Sequence, residues 1–192
     1  MRKCAVLGIA LLAVFSFSVP SQASAQGVFI GAGASIPTGD FKDFGDGDGA
    51  NTGWMAEAGF GFPLNESGLI AFVEGLYGSN GHDYEGDKTN LLAGFGGIEF
   101  NFAEEGMAGP FVFAQVGFLK HSYKSDDFSD YEDSSSGLAF GGGVGYSIPL
   151  GSMSGWVLGR YIQGQLSDDE TGEGNTTLLG LMAGVSIPVG GN

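Results

Sequence analysis

From Gln26 onward, bulky apolar residues alternate with small or polar residues in one stretch after another. No stretch carries the i, i+3, i+4, i+7 apolar spacing of an amphipathic helix, so the alternation predicts strands with two different faces. We predict eight strands, over residues 27–38, 53–64, 69–79, 89–102, 110–122, 137–150, 155–166 and 176–189. Each is at least as long as the roughly 9 to 11 residues with which a tilted strand crosses a bilayer.

The connections between these strands alternate in length. Short connections cover residues 65–68, 103–109 and 151–154, and long acidic ones cover 39–52, 80–88, 123–136 and 167–175. In an up-and-down barrel, this order places the short turns at one rim and the long loops at the other. The sequence therefore predicts an all-β fold, an eight-stranded antiparallel up-and-down transmembrane β-barrel.

The first 25 residues have the features of a cleavable export signal. Arg2 and Lys3 form a short basic start, residues 4–19 are largely apolar, and Ala23-Ser24-Ala25 is a small-residue cleavage pattern. We predict a signal peptide over residues 1–25 and a barrel domain over residues 26–192. Because Cys4 is the one cysteine and belongs to the signal, the mature chain cannot form a disulfide.

The two faces of the predicted strands differ in size and polarity. Over residues 176–189, Leu179 and Leu181 belong to a bulky apolar face, whereas Gly180 and Gly184 belong to the opposite face. In a membrane barrel the apolar face contacts lipid, and a charge on that face costs several kcal/mol. We therefore expect almost every charged residue within the strands to point into the lumen.

The charge rule, together with the position of Gln115 opposite the apolar face of its strand, places five polar residues inside the barrel: Glu57, Glu74, Glu99, Gln115 and Arg160. One guanidinium among three carboxylates predicts a buried ion-pair network, because a guanidinium out of water needs several acceptors. The favoured interpretation is a structural plug that fills the bore, since eight-stranded barrels are packed inside. A narrow pore is the alternative.

Aromatic residues are predicted to form two belts at the membrane surfaces. Trp54 and Tyr77 lie near the long-loop ends of their strands. The belt at the short-turn ends is expected to contain Phe60, Phe62, Phe100, Phe102, Phe111, Phe113, Tyr146 and Trp156.

Charge limits the classes of partner. The sequence has 22 acidic and 7 basic residues and a formal net charge of −15, which disfavours nucleic acid. No loop has the spacing of a dedicated calcium site, so we expect no specific metal or cofactor. The acidic loops are candidate weak divalent-cation sites, with Asp43, Asp46, Asp48, Asp126, Asp127, Asp130, Asp168 and Asp169 as ligands.

With these features, residues 27–189 resemble the small eight-stranded outer-membrane barrels of bacteria, a group similar to OmpX, the OmpA transmembrane domain and opacity-type surface proteins. The resemblance rests on the repeated hairpins, the lumenal Glu and Arg residues, and strands such as Gly141 to Leu150. It implies a bacterial outer-membrane location with the long loops facing the cell exterior.

We therefore expect an integral outer-membrane protein with a structural or surface-interaction role. We predict that it has no catalytic residues, is monomeric, and has outer-membrane lipid and divalent cations as partners. A soluble lipocalin-like carrier is a further alternative, but such a carrier would turn its large apolar residues inward and its polar residues outward.

Overall fold

The computed structural model describes residues 26–42, 49–83, 86–103, 107–125, 132–168 and 172–189. The predicted signal peptide, residues 1–25, lies outside these ranges and stays a prediction.

Eight strands account for most of the described residues. They are β1 (Gln26–Thr38), β2 (Gly53–Pro63), β3 (Leu69–Gly81), β4 (Lys88–Asn101), β5 (Gly109–Lys124), β6 (Glu132–Leu150), β7 (Met153–Asp168) and β8 (Gly172–Val189). A short 3-10 helix, Gly39–Phe41, follows β1. In the part of the chain that the structure describes, no helix is long and apolar enough to cross a membrane.

The strands form a closed barrel in sequence order. Each strand pairs antiparallel with the next, and β8 pairs with β1 through contacts such as Gly31 opposite Gly184. Closure leaves no strand with a free edge, so the ladder satisfies the backbone polar groups that lipid cannot. The predicted fold class is confirmed.

Two hairpins extend further than the alternation predicts. The β5–β6 ladder continues to Lys124 opposite Glu132, and the β7–β8 ladder continues to Asp168 opposite Gly172. In the sequence, both faces of these extensions are polar, so no alternation marks them, but the aligned strands continue to pair past the apolar part of the wall. The expectation that Asp168 lies in a loop is therefore wrong, because this residue ends β7.

The outer face of the barrel is apolar, as predicted for β6 and β8. Val144 on β6 and Leu181 on β8 are 63% and 60% exposed. The lumen is not lined only by small and polar residues, however, because it also contains a core of large apolar ones. Besides Phe41 near one end, the large members of this core are Met55, Phe72, Leu76, Leu91, Phe95, Phe111, Phe113, Leu119, Trp156, Ile162, Leu178 and Met182.

Glycines make room for the rings inside the barrel. Trp156 lies directly opposite Gly184, and a Cβ atom on Gly184 or on Gly31 would overlap its indole ring. Phe72 opposite Gly97 and Phe111 opposite Gly145 repeat this arrangement on other strand pairs. The glycines within the strands therefore set the space that the lumenal rings fill.

The predicted aromatic belts are confirmed in part. At the long-loop end, the exposed rings of Trp54 and Tyr77 pack with their centroids 5.6 Å apart. Phe100 and Phe102 form an exposed pair near the short-turn end, with centroids 4.9 Å apart. The assignment of three other rings to the short-turn belt is wrong, because they point inward and are buried: Phe111, Phe113 and Trp156.

Candidate functional site

Arg160 on β7 lies in the centre of the lumen and is 3% exposed. Its direct cross-strand partners are both glycines, Gly143 on β6 and Gly180 on β8. A Cβ atom on Gly180 would lie 2.8 Å from the Arg160 Cγ atom, so this glycine leaves room for the side chain. A guanidinium at this depth is tolerated only with several acceptors around it.

Three side chains from three other strands accept hydrogen bonds from Arg160. Its Nη2 atom donates to Glu74 Oε1 on β3 at 2.6 Å and to Gln115 Oε1 on β5 at 2.7 Å. Its Nη1 atom donates to Glu57 Oε2 on β2. We call Glu57, Glu74, Gln115 and Arg160 the lumenal network. All four side chains are buried, so the network ties four strands together across the bore.

The prediction groups Glu99 with these residues, but the structure places it apart. Glu99 lies opposite Ile70 on β3 and Phe113 on β5, closer to the short-turn rim than Gln115. Among the described residues, the ion pairs of Arg160 are those with Glu57 and Glu74. Strand alternation places Glu99 on the lumenal face, but the height of a residue depends on the stagger between strands.

Side chains fill the bore on both sides of the lumenal network. Toward the short-turn rim, the Phe113 ring centroid is 5.4 Å from Arg160 Cζ, and the Phe72 ring packs on Phe113 with centroids 6.1 Å apart. Toward the long-loop rim, a layer of fully buried apolar side chains comprises Met55, Leu76, Leu91, Leu119, Ile162 and Leu178. The network is thus enclosed between an aromatic layer and an aliphatic layer.

A buried hydrogen-bond cluster lies at the long-loop end of the lumen. Asn80 on β3 donates from Nδ2 to the backbone oxygens of Ser35 and Asn51, at 3.1 and 2.8 Å, and accepts from Ser35 Oγ at 2.9 Å. Asn80 and Ser35 are fully buried. The cluster therefore fixes β1, β3 and the end of the first long connection to one another.

Phe41, from the 3-10 helix, covers part of the same end of the barrel. It is buried, and its ring meets the His121 ring edge-on with centroids 5.5 Å apart. His121 Nδ1 in turn bonds with Thr176 Oγ1 at 3.2 Å. The sequence pattern does not mark these residues. Phe41 and Asn80 fall in segments expected to be loops, and Ser35 is a small residue within the predicted strand over residues 27–38.

The structure describes none of the side chains of the predicted divalent-cation ligands. Asp168 ends β7, with only its backbone described, and the other residues lie outside the described residues: Asp43, Asp46, Asp48, Asp126, Asp127, Asp130 and Asp169. Within the described ranges, no group of three or more His, Cys, Asp or Glu side chains could hold a metal ion.

A family model described as an outer membrane protein beta-barrel domain matches residues 8–186. No curated protein matches the chain.

Solved structures that share the fold include Neisserial surface protein A and Ail. The chain is similar to Neisserial surface protein A, with 16% sequence identity and a TM-score of 0.66 over 86% of this chain and 98% of that one. It is also similar to Ail, the attachment invasion locus protein of Yersinia pestis, solved with the heparin analogue sucrose octasulfate. There the identity is 14% and the TM-score 0.52, over 85% of this chain and 99% of that one.

The family match and the closed barrel with an apolar outer face agree with each other. The apolar outer face also excludes the soluble lipocalin-like carrier. The chain therefore belongs to the outer membrane protein beta-barrel domain family and is a protein of the bacterial outer membrane.

Proposed function

We propose that this protein is a non-catalytic surface protein of the outer membrane, with a barrel that acts as a closed support and an extracellular end that contacts partners. The observation that carries the proposal is the lumenal network. A path through the bore would have to pass Arg160, which holds Glu57, Glu74 and Gln115 from three other strands. The enclosing layers of rings and aliphatic side chains add to this barrier.

The extended hairpins support a role at the extracellular end. β6 begins at Glu132 and β8 at Gly172, so their ladders continue beyond the apolar part of the wall. In barrels of this kind the long connections face the cell exterior. By sequence, 16 of the 22 acidic residues fall in the four long connections, so this end favours cationic or cation-bridged partners over anionic ones.

Conductance in planar lipid bilayers tests whether the bore of the barrel is closed to ions. We expect no channel steps from the refolded wild-type protein, whereas the Arg160→Ala, Glu57→Gln, Glu74→Gln triple variant removes the cross-bore bonds and serves as the opened comparison. Steady channel steps from the wild type would contradict the proposal and favour the narrow pore.

Binding of whole cells to charged surfaces tests the extracellular role. Cells that carry the protein are compared with cells that carry a variant in which residues 126–130 are replaced by glycine and serine. We expect the wild type to be retained on a polylysine surface in a salt-dependent way and the variant to be retained less. Equal retention of the two would contradict a contact role for this hairpin.

A further inference from the structure

The predicted mature chain starts with a glutamine. The small-residue pattern Ala23-Ser24-Ala25 predicts cleavage of the export signal after Ala25, which leaves Gln26 as the first residue. In the structure, β1 begins at this same residue. The end of the predicted signal and the start of the barrel therefore coincide, and the α-amino group of the mature chain belongs to the first residue of a strand.

The backbone at Gln26 has a strand partner on one side. Gln26 lies directly opposite Val189, the last residue of β8. The ladder between β1 and β2 starts one residue later, with Gly27 opposite Gly61. Pairing with β8 therefore holds the start of β1, while β2 makes no ladder contact with Gln26. Because this end of the barrel carries the short turns, it faces the periplasm.

The outer wall of the barrel is still apolar where β1 starts. Val28 is 40% exposed, and Ile187 and Val189 on β8 are each 42% exposed. Val28 lies directly opposite Ile187, in the same ladder in which Val189 lies opposite Gln26. A charge beside such a surface is costly, because lipid and apolar side chains solvate it poorly. A protonated α-amino group on Gln26 would be such a charge.

An amino-terminal glutamine can lose this charge through an internal reaction. The α-nitrogen attacks Cδ of the side-chain carboxamide, so that a bond forms between the α-nitrogen and Cδ and the bond from Cδ to the amide nitrogen breaks. The α-nitrogen passes one proton to the leaving nitrogen, which departs as ammonia. The reaction needs no oxidant and no second reactant. Its product is a five-membered lactam, which removes the terminal charge.

We propose that Gln26 is a modification site, at which the exported chain cyclises to a neutral amino-terminal lactam at the periplasmic rim of the barrel. The lactam keeps an N–H donor and the backbone carbonyl of the residue, so it is compatible with the pairing to Val189. The proposal rests on the predicted cleavage after Ala25. It is independent of whether the extracellular end contacts a partner.

Intact-mass spectrometry of protein isolated from outer membranes tests the proposal. We expect the main species to have the mass of residues 26–192 less one ammonia. Amino-terminal sequencing should give no residue until a pyroglutamyl aminopeptidase has removed the lactam, and should then start at Gly27. The full mass of residues 26–192, with a free α-amine, would overturn the cyclisation. A chain that starts at another residue would overturn the site itself.

A peptide with the sequence of residues 26–31 separates the contribution of the barrel from the reactivity of any amino-terminal glutamine. Freshly refolded barrel with a free amine on Gln26 and the peptide are kept at the same pH and temperature, and the release of ammonia is followed. We expect the barrel to release ammonia at least as fast as the peptide, because the reaction removes a charge from an apolar wall. Slower release from the barrel would overturn the proposal.

Gln26→Asn provides the matched control. Asparagine keeps the carboxamide, but its side chain is one methylene shorter, so the same attack would need a strained four-membered ring. We expect this variant to keep a free α-amine and to migrate like the wild type in unboiled gels. The cyclised wild type should unfold at a higher urea concentration than the variant, which retains the terminal charge. Loss of ammonia from the variant, or equal urea midpoints, would overturn the proposal.

Discussion

Trp156 on β7 and Gly184 on β8 are direct cross-strand partners, and the indole ring occupies the space that a Cβ atom on Gly184 would need. The ring also reaches the next strand, where a Cβ atom on Gly31 would overlap it. A single large side chain thus covers glycines on two successive strands. This pairing links the high glycine content of the sequence to the packing of the lumen.

Gly184→Val should destabilise the barrel by about 1 to 3 kcal/mol, because the added atoms overlap the Trp156 ring in a packed core. The measurement is urea unfolding of the refolded protein in detergent. Gly94→Ala is the control, since nothing lies within 4 Å of a Cβ atom built there. Trp156→Leu should reduce the cost of Gly184→Val only in part, because it removes the overlap with the ring but leaves the overlap between the new Cβ atom and the Ile30 backbone oxygen. An equal cost of Gly184→Val in the wild type and in the Trp156→Leu variant would show that the two residues are not coupled.

Arg160→Ala should cost about 3 to 5 kcal/mol, because it leaves Glu57 and Glu74 buried without their cation. Unfolding midpoints in urea measure the effect. Adding Glu57→Gln and Glu74→Gln should recover part of the loss, since the remaining groups then carry no charge. Glu99→Gln, which changes a carboxylate outside the lumenal network, should have a small effect. A fully stable Arg160→Ala protein would mean that the network does not stabilise the barrel.

Asn80→Ala should destabilise the long-loop end by about 1 to 3 kcal/mol, because Ser35 Oγ, the buried Ser35 backbone oxygen and the part-buried Asn51 backbone oxygen lose a partner. Hydrogen exchange should show faster exchange at the Asn51 amide, which donates to Gly81 at 2.7 Å beside this cluster. Asn175→Ala changes an exposed asparagine and serves as the comparison. The prediction fails if both variants exchange like the wild type.

Millimolar Ca²⁺ or Mg²⁺ should slow proteolysis within residues 39–52 and 125–131. Carboxylates such as Asp43, Asp46, Asp126 and Asp127 repel one another at low ionic strength, and divalent cations with oxygen ligands reduce this repulsion. The comparison is with NaCl at matched ionic strength, and we expect little preference between the two ions. Identical cleavage rates in all three salts would contradict this prediction. Protection that saturates with Ca²⁺ alone would indicate a dedicated calcium site instead.

The strands of the barrel could be predicted from alternation because lipid on one side and a packed lumen on the other impose a two-residue period. The start of β6 at Glu132 could not, since both faces of that segment are polar. The orientation of Phe111 and Trp156 could not be predicted from the alternation either, because large rings occur on both faces of the strands. Only their glycine partners on adjacent strands show where these rings fit.

The lumenal network also could be predicted only in part from the sequence. Strand phase, together with the cost of a charge in lipid, is enough to put Glu57, Glu74, Glu99 and Gln115 on the inner face. Their heights depend on the stagger of the strands around the closed barrel, which single-strand patterns do not contain. The stagger brings three of them to Arg160 and leaves Glu99 opposite Phe113.

The pairing of rings with glycines has a consequence for assembly. A strand that slips by two residues keeps every side chain on its correct face, so exposure to lipid alone would not reveal the mistake. In β7 such a slip would move Trp156 from Gly184 to Met182 or Ser186, and Arg160 from Gly180 to Leu178 or Met182. Each of these positions carries a side chain where the ring or the guanidinium stem needs an empty space. The packed lumen therefore favours the correct alignment of β7, since a shift by two residues fills each of these spaces with a side chain.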